Sequence, residues 1–443
     1  MNVGFLVIAD AALDVPLARK NADRSLSLLR RLGAQVVRPL EVATRPSDVA
    51  VCVEQFRHMD VSLLIIQVGT WCPDTLALSA VAELDVPILL WAMAEKPNSA
   101  FPDGGMLVGL TQVGGTLTRF GRKLKVVVGE PEEMEVAEAI AGFLRVTQTR
   151  GVLRRARVGL VGHGCPGMSD TAFHEMELRR IVGPETVHVD LAMLAVRIAS
   201  AEPTTADVEQ VRSLGRLQGV SDEDLLAAAK TRLGLTAIVE EGNLSAVAVK
   251  CWPELKHLGL PSPCYALATL SEEGIPAACE GDLMGAVSML TLHLLTGQAA
   301  YLGDFMGVDK SRNLALLFHC GAAAPSLADP VAGIEMCLHA ERGITWKKGV
   351  TVEFPVRPGR VTFGRLGDVQ GQFRMVVLRG EAVESDMFVR GNPAKVALET
   401  PVTQVIERVI ALGCGHHYLM VHGDITGQLR DLAELLGIEC VTV

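Results

Sequence analysis

The chain has 443 residues, 49 % of them hydrophobic but only 4 % aromatic, and a formal net charge of -10. That length allows two or three domains, each able to bury a substantial core, and the aliphatic balance favours α/β packing over a small aromatic-cored β module. An acidic balance with no basic block excludes electrostatic steering toward nucleic acid or an anionic membrane.

The first ten residues, Met1 to Asp10, lack a basic n-region and meet a charge after a short apolar run, so they read as a strand rather than a signal peptide. The only apolar stretch of note follows Glu280, and it is too short for a membrane span and carries His293. A soluble, cytoplasmic protein is expected. The ten cysteines form no C-x-x-C pair, which indicates neither a structural zinc site nor a disulfide framework.

Strands at 3–8, 35–38, 63–67 and 87–90 alternate with helical stretches near 21–32, 49–58 and 75–84, the signature of a parallel sheet wrapped by crossover helices. A strand at 123–128 and a helix at 132–146 complete a first α/β domain over 1–150. A second opens with strand 158–161 and the turn Gly162-His163-Gly164-Cys165-Pro166-Gly167. A helix from Asp170 to Ile181, strand 187–190, helices near 205–214 and 222–234, and strand 246–250 follow, giving a central α/β domain over 151–345. Beyond it, segments 350–355, 360–365, 372–379 and 381–389 read as successive strands separated by Gly and Pro, a mainly antiparallel sheet or partial barrel. Helix 402–412, strand 418–421, helix 424–436 and strand 439–443 finish a β-rich C-terminal domain over 346–443. The expected fold class is therefore α/β, with two Rossmann-like parallel-sheet domains and a partial barrel.

Glu280 and Asp304 are the most informative pair. Glu280 follows the strand-like run 275–279, a nearly continuous apolar helix runs from Asp282 to Leu295, and Gly297 ends it where a left-handed residue is usual. A helix of about 15 residues rises roughly 22 Å, and a return strand of about six residues covers roughly 20 Å. The lengths nearly cancel, which puts Glu280 at a helix N-terminus and Asp304 at a strand C-terminus, both at the carboxyl edge of a parallel sheet where ligands bind. The helix dipole favours an ionised Glu280, suiting a hard cation. Without a cation, the same residues would be a helix cap and a loop acid.

Gly162-x-Gly164-x-x-Gly167 satisfies much of the dinucleotide fingerprint, although Pro166 stands where helix backbone donors are wanted. His416 and His417 precede a strand, and adjacent residues of an extended segment point to opposite faces. One of them would complete a two-carboxylate, one-imidazole site with open positions, a set suited to Mn²⁺ or Mg²⁺, with Fe²⁺ or Co²⁺ as alternatives. Trp252 and His319 follow strands at the same edge and offer an apolar face and a hydrogen-bonding tip to a polyol.

Lys250-Cys251-Trp252-Pro253-Glu254, the run from Ala278 through Glu280 to Ala286, Gly303-Asp304-Phe305 and His416-His417 resemble the L-fucose/L-arabinose isomerase superfamily, on the fucose isomerase side. The likeness covers roughly residues 155–443 and reaches the first domain through Gly69-Thr70-Trp71. It implies Glu280, Asp304 and His417 as ligands of a divalent metal, Mn²⁺ first, and an aldose–ketose isomerase that passes a proton between C1 and C2 of a sugar through an enediol. The two carboxylates would serve both as ligands and as acid/base groups, with Trp252, His319 and His416 around the substrate. Assembly as a homotrimer or homohexamer is also implied, a neighbour's first domain closing the pocket through Trp71. The chain departs from the family in being shorter than its best known fucose and arabinose isomerases, and Trp252-Pro253 stands where some members are more polar. The sugar is thus left open among fucose, arabinose and other deoxy sugars, including sulfonated ones. Two further readings are an NAD(P)-dependent oxidoreductase using Gly162–Gly167 and a non-catalytic sugar-binding protein of the same fold.

Overall fold

A computed structural model describes residues 1–38, 41–94, 104–339 and 348–443. The chain divides into two compact units, Met1–Gly151 and Val152–Val443. The expected boundary at 345/346 lies outside the described residues.

The first unit is a parallel sheet of strands Asn2–Ile8, Gln35–Val37, Leu63–Val68, Ile88–Ala92 and Leu124–Val128, in spatial order second, first, third, fourth, fifth. That order is the flavodoxin-like form of the doubly wound fold. Helices Val15–Arg31, Pro46–His58, Thr75–Glu83, Met106–Arg119 and Met134–Leu153 accompany these strands among the described residues. The central strands are buried along their whole length, which explains their continuous aliphatic runs.

The second unit opens the same way. Strands Arg157–Val161, Glu185–Val189, Ala246–Val249 and Ala277–Ala278 are parallel, in order fourth, third, first, second. The expected helix from Asp170 starts only at Glu175; Asp170 itself sits in a 3-10 turn, Ser169–Thr171. Residues 163–168 run from Gly162 to that turn without opening an α-helix, so the dinucleotide fingerprint lacks the helix N-terminus that would hold a pyrophosphate.

The remaining strands close a six-stranded antiparallel barrel. In order around its wall they are Gly359–Val369, His417–His422, Tyr301–Asp309, Leu314–Phe318, Ala394–Leu398 and Gln372–Val383, the last pairing back to the first. Closure leaves no edge within the ring, and Glu439–Thr442 adds outside it, parallel to Gln372–Val383. Three expectations change here. Segments 372–379 and 381–389 are replaced by the single strand Gln372–Val383, because Gly380 marks a close approach and not a turn: a Cβ there would stand 2.5 Å from Ala397 O. Val350–Glu353 leaves the barrel for a small sheet with Glu335–Leu338 and Arg216–Gln218. Asp304 does not end a parallel strand; it lies within Tyr301–Asp309, in the barrel wall. Antiparallel partners on both sides satisfy that backbone, so the strand continues past the acid.

Candidate active site

Glu280 reaches the site through an unusual backbone. It follows the short edge strand Ala277–Ala278 with φ +59°, and Gly281 continues in the left-handed region at φ +66°. A Cβ on Gly281 would stand 2.4 Å from His163 O, so only glycine fits. A non-glycine residue held left-handed costs about 1–2 kcal/mol, and such strain concentrates at functional sites. Asp282 then caps the helix Leu283–Thr296, accepting from Gly285 N at 2.8 Å, and Gly297 closes it left-handed as expected.

The barrel wall supplies the facing groups. Asp304 lies directly opposite His417 on one side and Phe318 on the other. Directly opposed residues have Cβ atoms about 5 Å apart. Strand Leu314–Phe318 ends one residue before His319. Two sets of ligand atoms result, each mutually within 4.8 Å: Glu280 with His416 and His417, and Asp304 with His319 and His417. His417 Nε2 stands 3.3 Å from Glu280 Oε2 and 3.8 Å from Asp304 Oδ1. The two histidines do not diverge as expected, because the strand begins at His417 and leaves His416 before it. Their ring centroids are 4.1 Å apart.

Asp282 and Arg365 hold His417 from behind. His417 Nδ1 pairs with Asp282 Oδ2 at 2.9 Å, Arg365 Nη1 donates to the same oxygen at 2.8 Å, and it donates to His417 O at 3.0 Å. This carboxylate fixes the proton on Nδ1 and presents Nε2 as a lone-pair donor, the usual support of a metal-bound histidine. Burial pushes the Asp282 carboxyl up, but the Arg365 charge and His417 outweigh it and hold it far below the ordinary range. Burial likewise opposes ionisation of Glu280, yet the His416 and His417 rings and the charge on His319 keep it down at about 2. Asp304 goes the other way, raised by burial and by Glu280.

The donor set fits a divalent cation. Asp304 Oδ1, His417 Nε2 and His319 Nε2 are buried and find no hydrogen-bond partner among the described residues. Orphaned polar atoms cost free energy unless something satisfies them, and carboxylate with imidazole suits a borderline-hard ion. His319, expected to touch substrate, thus stands as well placed to be a ligand. Trp252 follows strand Ala246–Val249. It packs against the core of the central α/β layer, and its Nε1 is buried without a described partner. Trp71 belongs to the first unit, where its Nε1 donates to Gln112 Oε1 at 2.8 Å. Sequence reasoning did not single out Asp282, Arg365 or Asp170 for the site. An acid immediately before an apolar helix was the one available signal, and it pointed only to a cap for Asp282.

A parallel α/β layer whose carboxyl edge feeds a closed barrel, with acids and imidazoles gathered where they meet, defines an enzyme of the α/β-plus-barrel class with a candidate metal centre. Residues 4–154 match the N-terminal domain of fucose/sulfoquinovose isomerases, and residues 317–443 match the C-terminal domain of L-fucose isomerase. The chain belongs to the fucose/arabinose isomerase superfamily. It is 28 % identical over 412 residues, 91 % of each chain, to a sulfoquinovose isomerase of Alkalicoccus urumqiensis. It is 25 % identical over 446 residues to one from Priestia aryabhattai, covering 99 % of this chain and 98 % of that one. An L-arabinose isomerase of Aeromonas hydrophila is 23 % identical over 475 residues, covering 100 % of this chain and 94 % of that one.

Proposed function

We propose that this isomerase is a divalent-metal-dependent aldose–ketose isomerase of a free deoxy sugar, with sulfoquinovose as the first substrate to try. The observation that carries the reading is the convergence of Glu280, Asp304, His319 and His417 on one space, three of their buried donor atoms having no described partner. The choice of sugar rests on the sulfoquinovose isomerases, which match at 25–28 % identity against 22–23 % for the arabinose isomerases.

Glu280, Asp304 and His417, with His319 as a fourth donor, would hold Mn²⁺, or Mg²⁺, Co²⁺ or Fe²⁺ in its place, and such an ion supplies Lewis acidity toward the sugar's O1 and O2. The protein's own groups do the proton work. One carboxylate of the Glu280–Asp304 pair removes the C2 proton of the open-chain aldose and returns it to C1, while the other moves a proton between O2 and O1. His417 is fully buried, and Asp282 keeps its ring turned to the site. Substrate contacts are assigned to His416 and Trp252. We further propose a cytoplasmic homotrimer or homohexamer in which Trp71 of a neighbouring copy helps close the pocket. Incubating the protein and Mn²⁺ with sulfoquinovose, L-fucose and L-arabinose tests the reading: one aldose should give its ketose. Failure on all three would refute this substrate assignment.

A further inference from the structure

All ten cysteines are free thiols, and five of them gather behind the candidate metal centre, where the proton transfer between C1 and C2 uses none. Cys279 directly precedes Glu280, and Cys320 directly follows His319, its Sγ 3.6 Å from His319 Nδ1. Cys320 neighbours both Cys264 and Cys279, and Cys165 donates from Sγ to Trp252 O at 2.9 Å. The pair in contact is Cys251 and Cys279, whose sulfurs stand 3.2 Å apart. They follow neighbouring parallel strands, Ala246–Val249 and Ala277–Ala278, at the carboxyl edge that also presents Glu280. Backbone bonds hold the frame around them: Gly281 N donates to Val249 O at 3.0 Å, and Lys250 N donates to Val161 O at 2.9 Å.

Two thiols in contact become a disulfide by losing two electrons and two protons. We infer that Cys251 and Cys279 are a reversible oxidation site for hydrogen peroxide, and that linking them displaces Glu280. Cys251 keeps 6 % exposure against 2 % for Cys279, and Cys165 beside it lines a cavity of about 270 Å³, ample for a water-sized oxidant. The Cys251 sulfur attacks one peroxide oxygen and the O–O bond breaks, giving a sulfenic acid and one water. The Cys279 sulfur then attacks the sulfenic sulfur, the S–OH bond breaks, and a second water leaves with the disulfide in place. The peroxide is reduced to two waters, which carry away both thiol protons. A disulfide requires the two sulfurs to close by roughly 1 Å. Glu280 is already left-handed at φ +59°, and Gly281 after it is packed against His163 O, so the backbone has little room to absorb that shift. The Glu280 carboxylate moves with Cys279, away from the two histidines. In a reducing compartment such a link is transient and reports redox state. The linkage stands on the sulfur positions alone; its effect on turnover rests on the isomerase reading above.

The test treats the full chain, loaded with redox-inert Mg²⁺, with hydrogen peroxide. After the peroxide is removed, unreduced peptides are mapped by mass spectrometry, Mn²⁺ affinity is titrated, and ketose formation is followed with the sugar the protein isomerises. A Cys251–Cys279 peptide should appear, turnover should fall on the order of 10²-fold, as for a reacting group misplaced by 1 Å, and Mn²⁺ affinity should fall at least about 10-fold. Dithiothreitol should reverse all three. Cys251→Ser should turn over like untreated wild type and resist peroxide, and Cys251→Ala serves in its place if the buried hydroxyl disturbs folding. Peroxide-treated wild type without this linkage would overturn the inference, whether its cysteines stay thiols, pair otherwise or oxidise further. So would a linked protein that keeps full turnover, or a Cys251→Ser protein inactivated as fast as wild type. If the reduced protein isomerises no sugar, the isomerase reading fails, while the peptide map and the Mn²⁺ titration still decide this one.

Discussion

At the scale of single residues, the site depends on Glu280 being held where its backbone does not rest comfortably. The left-handed pair at 280 and 281 turns the chain so that the carboxylate meets both histidines instead of capping the helix, and Asp282 takes over the cap. Glu280→Gln preserves shape and removes the charge. It should lower the isomerisation rate on the order of 10³-fold, measured as initial ketose formation, with little change in the melting temperature of the metal-free protein. Asp282→Asn keeps an oxygen for Gly285 N but ends the charged support of His417, so metal affinity, read by titration with Mn²⁺, should weaken about 10- to 100-fold.

At the scale of elements, two registers matter. The antiparallel pairing of Asp304 with His417 brings an acid and an imidazole together without any local sequence signal, and the Asp282–Arg365 ion pair ties the helix Leu283–Thr296 to the barrel strand Gly359–Val369. Arg365→Met would leave Asp282 charged and buried, and chemical denaturation should show a loss of about 3–5 kcal/mol. The alternation of strands and helices, the apolar helix with its Gly297 stop, and the return of Asp304 toward Glu280 were all legible, because each rests on local periodicity and turn chemistry. The wall that Asp304 belongs to was not. One of its two neighbouring strands, His417–His422, lies over a hundred residues away along the chain, and local patterning carries no register across such a distance. The same holds for Arg365 on Asp282, 83 residues apart, and for Asp170 on His416, 246 apart. His319 was visible as a residue after a strand, but its place beside Asp304 and His417 required the barrel to be closed.

At the scale of the whole molecule, the second unit joins two architectures with different virtues. A parallel sheet gathers loop residues at its carboxyl edge, and a closed barrel gives rigid antiparallel registers that fix acids and imidazoles on neighbouring strands. Glu280 comes from the first and Asp304, His319 and His417 from the second, so a bound ion would bridge them. Metal should therefore stabilise the fold as well as enable catalysis: Mn²⁺ at about 100 times its dissociation constant should add about 2.7 kcal/mol to unfolding free energy, seen as a melting temperature that falls on chelation and recovers on readdition. The measurement that bears most directly on the central claim is hydrogen exchange at C2. Wild type and Glu280→Gln would be incubated with sulfoquinovose in deuterated water, with and without Mn²⁺, and the sugar followed by mass and NMR. Deuterium entering at C2 together with ketose, only with metal and only with Glu280 present, is the predicted result. Undiminished exchange by Glu280→Gln, or by metal-free wild type, would contradict a metal-bound carboxylate pair as the isomerising device.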